Sequence, residues 1–185
     1  KYARKIIDLP FEPGQVPYNF LAVTWAEDEE GKKLALRLLE RIIEIESADD
    51  FVGANARVIL ANKLIDSTAE GEQGEEAEAL RKRAQALLRE TLTKTDDLNL
   101  AFQAYEALAR IYQESGDLQK ALTVFDEMDK KFEQNRTRAL SLLGRAKVYM
   151  HANMPEENLA MFKKALEACV DQMDCCRIAG EYAQE

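Results

Sequence analysis

Apolar and polar residues follow the period of an α-helix along most of the chain, and no segment shows sustained strand alternation. Positions three or four residues apart share one face of a helix, whereas every second position shares one face of a strand. The pattern therefore predicts an all-α protein. The predicted helices cover residues 16–28, 32–47, 51–67, 74–94, 98–114, 118–133, 137–152, 156–169 and 172–184.

Turn and capping residues separate these helices. Thr95-Asp96-Asp97 offers N-caps before the helix that begins near 98. Ser115-Gly116-Asp117 and Asn153-Met154-Pro155 supply short turns between helices that follow one another closely. Residues 1–15 contain two prolines and are predicted to form an extended N-terminal segment.

Residues 105–125 carry the most specific pattern in the chain. Tyr105 precedes Leu108-Ala109 by three residues, Tyr112 follows, and a turn leads to Ala121 and Phe125. Small residues let two helices approach closely, and large ones fill the space beside them. Parts of the same pattern recur at 18–25, 60–64 with 84–88, 146–149 with 158–165, and 178–182.

Two of these copies depart from the pattern. The second spans 20 residues from Leu64 to Ala84, against 9 from Tyr112 to Ala121, so it contains an insertion of about 11 residues near 67–75. We expect this insertion to form an exposed loop or extra helical turns. The fourth copy has Arg145 where Leu is usual and Asn158 where Ala is usual.

On these residues, positions 16–185 resemble the tetratricopeptide repeat family. The resemblance implies an α-solenoid, a right-handed superhelix of about four stacked helix-turn-helix hairpins. Its repeats would lie near 16–48, 50–95, 98–134 and 137–170, followed by a terminal helix at 172–185. Another α-solenoid or an irregular helical bundle remains the alternative fold.

The resemblance also implies a concave groove, lined by the first helix of each hairpin, that binds a peptide or a partner helix. Carried onto this sequence, the groove positions are Asn19, Val23, Asn55, Val58, Asn62, Gln103, Glu106, Arg110, Gln113, Leu143, Lys147 and Met150. Of these, Asn62, Arg110 and Lys147 are the strongest candidates for polar contacts. Some family members use a clamp that begins with a lysine to hold a partner's C-terminal carboxylate. The positions that would carry this lysine are Asn19, Val58, Glu106 and Leu143 in this sequence. Binding of a C-terminal carboxylate is therefore not expected.

Charge narrows the choice of partner. The formal net charge of -9 argues against nucleic-acid binding, which needs clustered Lys and Arg. The longest stretch without Asp or Glu, from Gln134 to Pro155, is basic and carries Arg136, Arg138, Arg145 and Lys147. It either presents a positive face to an acidic partner or neutralises the acidic helix before it.

Catalytic and metal-binding motifs are absent from the sequence, so we expect neither enzymatic activity nor a cofactor or metal. His151, the one histidine, is expected to cap a helix C-terminus. Cys169, Cys175 and Cys176 are expected to be free thiols. Free thiols favour a cytoplasmic protein, and a membrane-tethered or periplasmic domain is the alternative, with any membrane contact made through an anchor not present in this chain.

The sequence therefore predicts a protein–protein interaction module that acts as a scaffold, chaperone or adaptor. Two other interpretations stay open. The repeats could mediate self-assembly into a homo-oligomer, or they could form the regulatory segment of a longer enzyme.

Overall fold

The regular structure of the chain is helical throughout the part that can be described. The computed structural model describes residues 29–46, 50–70, 74–132, 135–170 and 172–182, and within these ranges it contains helices and no strand. The helices are α1 (Glu29–Ile45), α2 (Phe51–Glu70), α3 (Glu75–Lys94), α4 (Leu98–Glu114), α5 (Leu118–Lys131), α6 (Asn135–His151), α7 (Pro155–Ala168) and α8 (Gln172–Tyr182).

The prediction of an all-α fold is confirmed. Every described helix begins and ends within three residues of its predicted bounds, and α4 has the bounds 98–114 that the pattern predicts. The predicted helix at 16–28 and the extended segment at 1–15 lie outside the described residues. So do Asn19 and Val23 of the predicted groove.

The insertion in the second hairpin lengthens its helices. Helices α2 and α3 have 20 residues each, whereas α4 and α5 have 17 and 14. Helix α2 continues to Glu70 and α3 begins at Glu75, so most of the inserted segment forms extra helical turns. This is one of the two outcomes that the sequence left open.

The chain divides into two compact units, the first ending at Leu100 and the second beginning at Ala101. In the first unit, α1 packs on α2 and α2 on α3. In the second, α5 packs on α6 and α6 on α7, while α8 contacts both α7 and α6. Helices that are neighbours in sequence thus pack against each other, which is the arrangement of an α-solenoid.

A buried arginine joins the helices of the first unit. Arg57 on α2 is 5% exposed; one Nη donates to the carbonyl of Glu46 at 3.5 Å, and its Nε lies 3.4 Å from the carboxylate of Glu90 on α3. Arg83 on α3 reaches Glu40 on α1 at 2.6 Å. Burial of a guanidinium is costly without partners; the Glu90 carboxylate balances the charge of Arg57 and the Glu46 carbonyl accepts one hydrogen bond, although Nε makes none.

The turns of the last two hairpins are built alike. The N–H of Gly116 donates to Gln113 and that of Asp117 to Tyr112, each at 2.9 Å. In the next hairpin, 37 residues later, Asn153 and Met154 repeat the two bonds. This pair of bonds is the Schellman motif, which requires a positive φ at the residue after the helix. Gly116 has φ 74° and Asn153 has φ 55°.

The offset of 37 residues between these two hairpins also explains where the fourth hairpin departs from the repeat pattern. Asn158 occupies the position of Ala121, and its side-chain amide donates to the carbonyl of Ala146 at 3.0 Å. Arg145 occupies the position of the buried Leu108 and bonds two carboxylates of α5 instead. An apolar contact is therefore replaced at each position by a polar contact between helices of the second unit.

Close approach of α5 and α6 depends on a glycine. Gly144 has no side chain, and the ring of Phe125 occupies the space into which a Cβ at that position would project. Phe125 is fully buried. The pairing of a small residue with a large one, expected from the repeat pattern, is thus present between these helices.

Candidate partner-binding face

The predicted groove residues of the first unit lie on α2. Asn55 and Asn62 are half-buried, so each keeps some surface that a partner can reach. Val58 is 1% exposed and belongs to the core. It therefore has no apolar surface to offer, contrary to the expectation from the sequence.

In the second unit the predicted residues lie on α4 and α6. Spacings of three, four and seven residues place the members of each set on one side of their helix. Most keep exposed or half-buried side chains, and we call them together the α4–α6 face: Gln103, Glu106, Arg110, Gln113, Lys147 and Met150. Leu143, one turn before Lys147, is 0% exposed and belongs to the core, so the expectation that it offers an apolar contact is not met in this structure.

One charged cluster forms the centre of the α4–α6 face. The ammonium of Lys147 lies 2.7 Å from a carboxylate oxygen of Glu106 and 2.9 Å from one of Glu181. Three helices, α4, α6 and α8, each contribute one of these charges. Because Lys147 pairs with a carboxylate on each of two other helices, charge-assisted hydrogen bonds link all three helices in addition to their packing.

Burial and charge act in opposite directions on this cluster. Burial raises the pKa of Glu106 above 4.5, because the bonded Lys147 offsets only part of the cost of burying the carboxylate and Glu181 adds to it. Burial alone would lower the pKa of Lys147, but Glu106 and Glu181 outweigh it and the pKa is raised. Lys147 is therefore protonated and positively charged at neutral pH.

The ring of Phe102 lies beneath this cluster. Phe102 is 2% exposed, with the Lys147 ammonium 5.9 Å and the Arg177 guanidinium 5.2 Å from its ring centre. Cations within about 6 Å of an aromatic face are attracted by its quadrupole. Two cations from α6 and α8 thus cover an aromatic residue of α4.

A second ion pair joins the start of α6 to the start of α8. Arg136 binds the carboxylate of Asp174 through both Nε and an Nη, and Asp174 is 4% exposed. Arg177 lies 3.3 Å from the same carboxylate. With Lys147 and Glu181 paired near the other ends, α6 and α8 run parallel and are linked at both ends.

Other face residues also have internal contacts. Gln113 donates from Nε2 to the carbonyl of Val148 on α6 at 3.1 Å, so it holds α4 against α6. Arg110 lies 3.6 Å from Glu114, one turn away on its own helix, and its side chain is 40% exposed. Arg110 is therefore better placed than Gln113 to meet a partner.

Carboxylates on other helices of the second unit neutralise most of the cations in the acid-free stretch. Arg136 pairs with Asp174, Lys147 with Glu106 and Glu181, and Arg145 with Asp126 and Asp129 at 2.9 and 2.8 Å, while Arg138 is exposed. This favours the neutralising interpretation. Pairing with acidic residues of the preceding helix was expected, whereas pairing with those on α8 was not.

The charged residues that α8 contributes, namely Asp174, Arg177 and Glu181, were not among the predicted site residues. A signal for one of them was present, since Glu181 follows Lys147 by 34 residues, the length of one repeat. Equivalent positions of consecutive first helices lie side by side in such arrays. An acidic residue one repeat after a basic one therefore indicates an ion pair between repeats.

Two of the three cysteines are paired, which corrects the expectation of three free thiols. Cys169 and Cys175 form a disulfide with Cα atoms 5.6 Å apart, and Cys176 is free and exposed. The turn between α7 and α8 brings the two residues together, and their six-residue separation alone does not indicate this. The sequence argument for a reducing compartment therefore loses its basis.

Within the described residues, no group of three or more His, Cys, Asp or Glu side chains is placed to hold a metal ion. His151 is exposed and is the last residue of α6, as expected. No described helix has the length and apolar character needed to cross a bilayer.

Comparison with known proteins identifies one family. The family model described as coatomer epsilon subunit matches residues 57–175, which is more than half of the chain. No curated protein matches significantly. The same is true of the solved structures.

Proposed function

Because the chain belongs to the coatomer epsilon subunit family, we propose that it is a non-enzymatic scaffold or adaptor subunit that holds a protein partner within a larger assembly. The family match is the observation that carries the proposal. The helical hairpins support it, since such arrays present extended surfaces to partners. As part of the same proposal, we place the chain in the cytoplasm.

We assign partner binding to the α4–α6 face. Its charges are of both signs, with Glu106 beside Lys147 and Arg110 one turn after Glu106, so they do not form a single positive patch. A partner segment with both acidic and basic side chains fits this pattern better than a purely acidic one. Arg110 and Gln103 supply side chains at the outer part of the face.

Replacement of Arg110 by Glu tests this assignment. The tagged full chain would be used for affinity capture, with the recovered partner identified by mass spectrometry. We expect Arg110→Glu to lower partner recovery by about tenfold or more, as for an interface arginine whose loss is strongly felt. Circular dichroism should show the same helicity as the wild type.

Lys164→Glu is the matched control, since it makes the same change of charge at an exposed position of α7. It should leave recovery unchanged. Equal recovery with Arg110→Glu and the wild type, or equal loss with both variants, would contradict the assignment to the α4–α6 face.

A further inference from the structure

Helix α8 covers the centre of the α4–α6 face. Its Glu181 shares Lys147 with Glu106, and its Arg177 lies over the ring of Phe102. These contacts engage Lys147 and Phe102, which lie at the centre of the face and would otherwise be available to a partner. While α8 is in place, the side chains of Lys147 and Glu106 are 30% and 27% exposed, so a partner has readier access to the outer residues such as Gln103 and Arg110.

The helix itself has few apolar anchors. It has 11 residues, and Ile178 is its one fully buried apolar side chain among those described. Met173 is 82% exposed, and Gly180 lies in the last turns without a neighbour to pack on. Helices of this length are marginal alone, and an interior glycine weakens them further. Its position therefore depends on tethers to the rest of the unit.

The strongest of these tethers is covalent. The Cys169–Cys175 disulfide joins the end of α7 to the first turn of α8. Both half-cystines are only half-buried, so a reductant has access to them. Disulfides are rare in cytoplasmic proteins, and those that occur are usually transient or redox-sensing.

We propose that the Cys169–Cys175 disulfide is a redox latch that holds α8 over the α4–α6 face, and that its reduction releases α8 and uncovers the face. The inference rests on the proposed function, because it concerns the regulation of that binding face. Once the latch is open, the contacts that hold α8 among the described residues are non-covalent, chiefly the ion pairs, the Arg177–Phe102 contact and Ile178.

A dithiol reductant supplies the electrons. One of its thiolates attacks a sulfur of the disulfide, forms a mixed disulfide and releases the other cysteine as a thiolate. The second thiol of the reductant then displaces the remaining cysteine. The reductant ends as a cyclic disulfide, two electrons have passed to the protein, and Cys169 and Cys175 become thiols after taking up two protons.

Hydrogen exchange and trypsin cleavage of the full chain measure the release. Trypsin cuts after Arg177, which is packed on Phe102 while α8 is in place. We expect dithiothreitol to raise cleavage at Arg177 and amide exchange along α8 by about tenfold or more, because the helix opens locally. Cleavage at the exposed Lys163 and Lys164 on α7 should not change.

Three further samples make the test decisive. The double variant Cys169→Ser, Cys175→Ser should behave like the reduced protein in either condition. Cys176→Ser should behave like the wild type, since that thiol is outside the disulfide. Reoxidised wild type should regain protection, which keeps the test valid should the double variant fail to fold.

Equal protection of α8 in oxidised and reduced protein overturns the latch and leaves the disulfide a structural link. Loss of the redox effect in Cys176→Ser overturns it as well, because the pairing would then involve Cys176. Neither result bears on the Arg110→Glu capture experiment, so failure of the latch and failure of the proposed function are distinguishable.

Discussion

Single residues in the second unit show how a repeat tolerates departures from its pattern. Asn158 replaces a small residue yet is 7% exposed, because its amide bonds the Ala146 carbonyl. Arg145 replaces a buried leucine and bonds two aspartates across the helix pair. A buried polar group is tolerated where it has a hydrogen-bond partner, and both residues meet this condition.

Gly144 is the position where we expect the greatest sensitivity to a single methyl group. Gly144→Ala would place a Cβ 2.1 Å from the nearest ring carbon of the fully buried Phe125. We expect a loss of about 1–3 kcal/mol in the free energy of unfolding, as for overpacking of a core. Urea denaturation measures it.

Gly180→Ala is the matched control, since a Cβ at that helical position meets no neighbour within 4 Å. It should leave stability unchanged or raise it by up to about 1 kcal/mol through helix propensity. Equal destabilisation by the two variants would mean that the Phe125 contact does not decide the effect.

Glu106 makes stability depend on pH in a defined direction. Its pKa is raised in the folded state, so between 4.5 and that raised pKa the folded chain binds more protons at this site than the unfolded chain. Its contribution to the free energy of unfolding is therefore most favourable on the acid side and falls as pH rises through this window. The groups that face it are Lys147 on α6 and Arg177 and Glu181 on α8.

The stability difference between wild type and Glu106→Gln, measured by urea denaturation from pH 4 to pH 7, isolates this term. The free energy of unfolding of the wild type, relative to that of the variant, should fall as pH rises and then become constant. Glu156→Gln on α7 controls for loss of one carboxylate. A difference that instead grows with pH would show that the bond to Lys147 outweighs burial.

Element boundaries in this protein follow from local chemistry. Asp97 and Asp117 accept hydrogen bonds from the N–H groups of Leu100 and Lys120, at 2.8 and 3.0 Å, and so cap α4 and α5. Helix α7 begins instead with Pro155 after Met154, which makes no side-chain cap bond. A proline at the first position needs no N–H partner, so the helix begins there without a capping side chain.

The two equivalent turns should respond differently to substitution. Gly116→Ala forces a Cβ into φ 74°, at a cost of about 1–2 kcal/mol. Asn153→Gly should be neutral or slightly stabilising, because Asn already tolerates φ 55° at some cost. Thermal unfolding of both variants measures the contrast. Similar effects of the two changes would mean that the Schellman geometry is not what ends α4 and α6.

At the scale of the whole molecule, the family match and the helical hairpins are both consistent with a scaffold subunit of a protein complex. The match names the coatomer epsilon subunit family and not the tetratricopeptide repeat family that the sequence resembles. Both point to stacked helical hairpins, and the described part of the chain contains them. The arrangement of 16–185 as one continuous array stays a prediction.

The sequence by itself determined the helices, their caps and their pairing into hairpins, because these depend on residues close together in the chain. The resemblance to the tetratricopeptide repeat family also marked Glu106, Arg110 and Lys147 as candidate face residues, and that assignment stays a prediction. The burial of Val58 and Leu143, the pairing of Cys169 with Cys175, and the charges that α8 brings to Lys147 were decided only by tertiary structure. Each depends on which segments far apart in the chain meet, and local periodicity carries no information about that.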